Sequence, residues 1–93
     1  MPKYLFTYHG GVPENRQQAV ASLQKWEAWF SSLGRVVVDR GAPARTPRAM
    51  PAGPISGYSV ISAGTENEIV RIANKCPIHA EGGTVTVSEL IDV

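Results

Sequence analysis

The sequence predicts an α+β fold on a four-stranded antiparallel sheet with helices on one face. Three observations carry that expectation: short runs of strand-forming residues, two stretches with apolar residues three and four apart, and the order in which the two kinds alternate.

Lys3 to Tyr8 alternates Tyr4, Phe6 and Tyr8 with Leu5 and Thr7 and stops at Gly10-Gly11, which predicts the first strand. From Asn15 to Leu33, apolar Val20, Leu23, Trp26, Phe30 and Leu33 recur at helical spacing, with Gln17, Gln24, Lys25 and Glu27 between them. This is a long amphipathic helix, and Gly34 supplies its stop. Arg35 to Asp39 holds the β-branched run Val36-Val37-Val38, and Gly57 to Ser62 holds Tyr58, Val60 and Ile61; both read as strands. Between them, Gly41 to Ser56 contains Pro43, Pro47, Pro51 and Pro54, which fix φ and remove backbone donors, so a long loop is expected. Thr65-Glu66-Asn67-Glu68 is a capping box ahead of an apolar stripe of Ile69, Ile72, Ala73 and Cys76, and Pro77 ends this second helix. Thr84 to Leu90 alternates again, with Val85 and Val87 on one side and Thr84, Thr86 and Ser88 on the other. The order is βαββαβ, the split βαβ or ferredoxin-like arrangement, with strand order 4-1-3-2. One sheet face is left open. Val85, Val87, Val36 to Val38, Leu5, Phe6 and Tyr8 are expected to give both faces apolar groups, so the open face would pair with a second copy as a two-fold homodimer.

At 93 residues the chain forms one domain, 1–93, small enough that a partner subunit would help cover its surface. A net charge of +1 gives no global field for nucleic acid or an anionic membrane. Cys76 is alone and cannot form an internal disulfide, the N-terminus lacks the pattern of a secretory signal, and no apolar run approaches the length of a membrane span. A cytoplasmic protein without membrane or nucleic-acid partners is expected.

The topology brings distant ionisable groups to one sheet edge: His9, Asp39, Tyr58, and the His79-Glu81 segment in the turn before the last strand. His9 or His79 has the titration range of a general base, and Asp39 or Glu81 could orient it. The competing readings are a strand-end histidine satisfied by backbone for His9 and a helix-end cap for His79. Arg40, Arg45 and Arg48 flank or occupy the Pro-rich loop in a segment with no acidic residue from Arg40 through Thr65. They could clamp a small anionic organic acid, or be solvated loop residues. No tight metal-ligand spacing is present, and neither a metal nor a cofactor is expected. Cys76 reads as a buried inert thiol, and Trp26, Trp29 and Phe30 as packing residues. Pro2 would become an N-terminal secondary amine on removal of Met1, as in tautomerases that begin Met-Pro, but it lies at the opposite strand end from His9.

The stretches Lys3-Tyr4-Leu5-Phe6-Thr7-Tyr8, Gly53-Pro54 with Gly57-Tyr58-Ser59-Val60-Ile61, and Cys76-Pro77 through Gly82-Gly83-Thr84-Val85 resemble the YCII-related family, which includes proteins with a DGPF motif. The resemblance spans nearly the whole chain. It implies the dimeric α/β-barrel fold and a likeness to muconolactone isomerases and a chloromuconolactone-type dehalogenase, for which a His-Asp pair is proposed. Two departures stand out: the DGPF motif is reduced to Ala52-Gly53-Pro54-Ile55, and the helix from Asn15 to Leu33 carries no histidine. A catalytic version of this chain would therefore use His9 with Asp39 or His79 with Glu81. Two functions compete: proton transfer, isomerisation or elimination on an anionic organic acid, which requires a pocket at the loop-bearing edge, and a non-catalytic dimeric ligand-binding or interaction module, which requires histidines tied to backbone and no open cavity.

Overall fold

The aromatic alternation at the N-terminus sets the core. A computed structural model describes residues 1–48 and 53–93 and forms β1 (Lys3–His9), α1 (Arg16–Leu33), β2 (Val37–Pro43), β3 (Gly57–Ser62), α2 (Glu66–Asn74) and β4 (Thr84–Glu89). Single 3₁₀ turns at Gly34–Val36 and Pro77–His79 link α1 to β2 and α2 to β4. Ala52 of the reduced motif, and Pro51 of the loop, lie outside the described residues. The sheet order is β2-β3-β1-β4, all neighbours antiparallel, so the ferredoxin-like α+β fold expected from the sequence is the fold observed.

On β1, Tyr4, Phe6 and Tyr8 are buried toward the helices, with Phe6 and its neighbour Ile61 on β3 wholly enclosed. Full burial of side chains of this size stabilises by roughly 1.5–3 kcal/mol each. Trp26, Trp29 and Phe30 of α1 close over that face: Tyr8 meets Trp26 edge-on at 4.7 Å, and Trp26 meets Trp29 at 5.6 Å and 90°. From the other helix Ile69, Ala73 and Cys76 are buried, as their spacing predicts. Caps fix both helix starts. Asn15 accepts from the Gln18 amide at 2.8 Å and Thr65 from the Glu68 amide at 3.2 Å. The Glu68 carboxylate returns to the Gly64 amide, one residue before the position an ideal capping box would use.

Several expectations need correction. Val20 and Leu23 sit on the predicted apolar stripe of α1 but are 53% and 62% exposed, because the part of α1 packed against the core runs from Trp26 on, and Leu23 borders a cavity instead. The second strand does not run from Arg35 to Asp39; it starts at Val37 and continues through Gly41, Ala42 and Pro43, which were expected to be loop. Gly41 makes that extension possible. It adopts φ 77°, its amide is held by Asp39 Oδ1 at 2.8 Å, and the ladder with β3 breaks register on either side of Asp39. Pro43 is tolerated because β2 is an edge strand.

The open face also differs. Val85 and Val87 pack with the core on the helix side, in register with Tyr8 and Phe6. The uncovered side of the three strands β3, β1 and β4 carries Leu5, Thr7, His9, Tyr58, Val60, Thr84, Thr86 and Ser88, more hydroxyl than hydrocarbon. Strict alternation explains this: once Phe6 and Tyr8 face the helices, every odd position of β1 and its partners must face away.

Candidate functional site

A cavity of about 580 Å³ opens at the sheet edge from which the Pro-rich loop leaves, on the helix side. Its volume falls within the range of small-molecule sites. Tyr8 and the Gly10–Pro13 turn, Trp26, Glu27 and Phe30 of α1, Arg40 to Ala44, Ser56 to Ser59, Ile78 and Glu81 line it.

Its polar groups are few and fixed. The Trp26 indole Nε1–H donates to Glu81 Oε1 at 2.9 Å, so a carboxylate is held against the edge of an aromatic ring. Trp26 touches Phe30 at 6.0 Å between centroids, and the Arg40 guanidinium lies 5.3 Å from the centre of the Phe30 ring. Arg40 Nη1 donates to Glu27 Oε2 at 2.6 Å. The contacts form a continuous series, with Glu81 at one end of an aromatic pair and Arg40 with Glu27 at the other. Beneath it, the Tyr8 hydroxyl donates to Ser59 Oγ at 2.8 Å and Ser59 Oγ donates to the Arg40 carbonyl at 2.7 Å. Burial pushes the Tyr8 phenol well above its ordinary value, so it stays a donor throughout the neutral range.

Of the residues singled out from the sequence, Glu81 and Arg40 line this cavity, Tyr58 borders it while its ring lies on the open face with Asp39, and His9, Asp39, His79, Arg45 and Arg48 do not line it. His9 points to the open face. Its Nδ1–H donates to the Pro54 carbonyl at 3.0 Å, and Nε2 lies 3.1 Å from Thr86 Oγ1. With Ser56 N–H to Tyr8 O at 2.7 Å and Ile55 N–H to Thr46 Oγ1 at 3.1 Å, His9 fastens the C-terminal part of the loop to β1. His79 Nε2–H donates to the Ala73 carbonyl at 2.9 Å and so caps α2, as the structural reading of its position has it.

Asp39 does not reach the edge at all. The bulge at Gly41 carries β2 further on, leaving Asp39 in mid-sheet opposite Val60, where Oδ2 meets the Tyr58 hydroxyl at 3.5 Å. Among the described residues neither histidine bonds Asp39 or Glu81, so neither expected His-carboxylate pair is formed. Arg45 and Arg48 are exposed and make no ion pair among the described residues. No three His, Cys, Asp or Glu side chains among the described residues are grouped to hold a metal. Cys76 is buried, and burial raises its thiol to about 12, which leaves it un-ionised and inert at neutral pH.

Tyr8, Trp26, Phe30, Ser59 and Glu27 were missed as site residues. One signal pointed to Trp26: a half-buried indole needs an acceptor, and Glu81 is an acidic residue on the segment the fold brings beside it.

No family model and no curated protein matches the chain. Among solved structures it is similar to 5-chloro-2-hydroxyhydroquinone dehydrochlorinase (TftG) from Burkholderia phenoliruptrix AC1100, in complex with 2,5-dihydroxybenzoquinone. The TM-score is 0.69 at 13% sequence identity, over 98% of this chain and 95% of that one. A likeness at that identity is one of fold. Among the described residues no helix is long and apolar enough to cross a membrane.

Proposed function

We propose that this chain is a small enzyme of the YCII-related, muconolactone isomerase-like type that moves a proton in a planar anionic organic acid, with Glu81 as base and Arg40 as partner of the anionic group. The observation that carries the reading is the series Glu81–Trp26–Phe30–Arg40 along one cavity. A ring lying on the Trp26–Phe30 surface has a carboxylate base at one end and a guanidinium at the other. Trp26 fixes Glu81 through Oε1, which leaves Oε2 to accept the proton in this reading. The C–H electron pair moves into the substrate's conjugated system. It then takes the proton back at another carbon, giving isomerisation, or expels a leaving group that departs with its bonding pair, giving elimination. The dehydrochlorinase with the same fold is support for this class of chemistry by analogy. In this reading His9 serves as the anchor of the loop and the open sheet face packs against a second copy.

The test uses 5-chloro-2-hydroxyhydroquinone and unsaturated lactones as trial substrates, and 2,5-dihydroxybenzoquinone as a binding probe followed by NMR at the Trp26 indole N–H. Glu81→Gln is expected to keep probe binding and to lower turnover by about 10²–10⁴-fold, the scale of general-base catalysis. Turnover unchanged in that variant removes Glu81 as the base. A probe that leaves the Trp26 resonance unmoved removes the cavity as the site.

A second reading has its own observation: both histidines end on backbone carbonyls, one of the two features a non-catalytic dimeric module requires, whereas the open cavity departs from the other. That reading expects self-association and ligand binding with no turnover of any trial substrate.

A further inference from the structure

We propose that Glu27 is a built-in competitor for the anion-recognition group Arg40, so that the cavity admits a ligand by exchanging one carboxylate for another. The inference rests on the reading above, that an anionic ring compound occupies the cavity, and adds a residue that sets its selectivity.

Both side chains line the cavity and both are half exposed, 48% for Arg40 and 56% for Glu27, which puts the pair at the boundary with solvent. The backbone beneath Arg40 is fixed. Its carbonyl accepts from Ser59 Oγ at 2.7 Å, and the next amide, Gly41, is held by Asp39 Oδ1 at 2.8 Å. Movement is therefore confined to the side chain. Phe30 supplies a face for the guanidinium at 5.3 Å, and that contact does not depend on which carboxylate Arg40 pairs with. Glu27 sits one residue after Trp26 on α1, beside the aromatic surface that a ring ligand would cover.

The energetics favour exchange. A solvent-exposed pair is weak and holds its partner by no more than about fivefold. A ligand anion lying on Phe30 and Trp26 is more shielded from water, where the same charge-charge contact is stronger. The pair with Glu27 keeps the guanidinium oriented and its charge matched. A neutral ligand has no charge with which to displace Glu27 and leaves the pair in place, whereas an anionic one must break it and replaces like with like.

The pair could instead serve only to tie α1 to β2, and the two roles separate cleanly. Benzoate and its neutral isostere benzamide are titrated at fixed ionic strength into the full chain and into Glu27→Gln, Arg40→Gln and the double variant, with the Trp26 indole resonance as readout. The expected result is that Glu27→Gln binds benzoate about two- to fivefold more tightly, the range an exposed pair can withhold, with benzamide unchanged. Arg40→Gln loses the preference for benzoate, and adding Glu27→Gln to it restores nothing. An unchanged benzoate-to-benzamide ratio in Glu27→Gln, with both probes still bound, overturns the competitor role and leaves the cavity reading standing. Failure of every protein to bind either probe overturns both.

Discussion

Removing the Tyr8 hydroxyl and removing its acceptor should not cost the same, and the difference is a test of the buried chain Tyr8–Ser59–Arg40. In Tyr8→Phe one neutral hydrogen bond of 2.8 Å disappears, while Ser59 still donates to the Arg40 carbonyl. No donor is stranded, so the expected loss is about 1 kcal/mol. Ser59→Ala removes both bonds and leaves the Tyr8 hydroxyl, on a residue only 5% exposed, with nothing to donate to. Two bonds at about 1 kcal/mol each plus an orphaned buried donor at about 1–3 kcal/mol bring the loss to roughly 3–5 kcal/mol. In the double variant the orphan is gone, and the loss returns to about 2 kcal/mol. The pair is therefore coupled by at least about 2 kcal/mol, in the sense that the second substitution relieves the first. Urea unfolding followed by circular dichroism, at one fixed protein concentration and with slopes compared between variants, measures all four states of the cycle. Additivity within about 0.5 kcal/mol would show that the hydroxyl is satisfied in some other way and that the chain does not exist as a unit.

Two further expectations follow from the same core and sheet. Burial raises Cys76 from 9.0 to about 12, so the folded state holds the thiol proton more tightly than the unfolded state. Its contribution to stability is complete below pH 9 and is lost as pH climbs toward the folded value, at about 1.4 kcal/mol per pH unit. Cys76→Ala should flatten the decline in unfolding free energy measured at pH 8, 9 and 10; an identical decline in both proteins refutes the assignment. Gly41→Ala places a methyl group 1.7 Å from the Tyr58 carbonyl oxygen at φ 77°. A backbone atom cannot swing aside, so the outer pairing of β2 with β3 must come apart. The expected result is a loss above about 4 kcal/mol, read as a fall in melting temperature and as fast amide exchange confined to β2; a wild-type melting temperature rules it out.

The sheet order was legible from the βαββαβ succession of elements, and the buried faces from periodicity: Tyr4, Phe6 and Tyr8 can face the helices only together, and the helical spacing of Ile69, Ala73 and Cys76 matches one buried stripe. Thr65 announced a helix start through local chemistry alone. What resisted reading depends on geometry that spacing does not encode. Gly41 and Pro43 look like breakers, yet a glycine bulge on an edge strand turns them into two more strand positions and strands Asp39 in mid-sheet. For the histidines both alternatives were legible and spacing could not choose between them; His9 bonds the Pro54 carbonyl and His79 the Ala73 carbonyl. The cavity joins Trp26 to Glu81 across 55 residues, and only the packing angle of α1 on the sheet brings them together.

The two rims of the sheet have unequal fates. Along β2, the Ala44 amide turns inward to Ser56, so by alternation the donorless nitrogen of Pro43 faces outward, and the kink at Gly41 bends the rim away from straight pairing. A stray strand finds little to grip there. Along β4 the run Thr-Val-Thr-Val-Ser-Glu is regular, free of proline and glycine, and followed by exposed Leu90 and Ile91. Among the described residues β4 is thus the rim more open to strand addition, and Glu89, with Asp92 beyond it, places charge there.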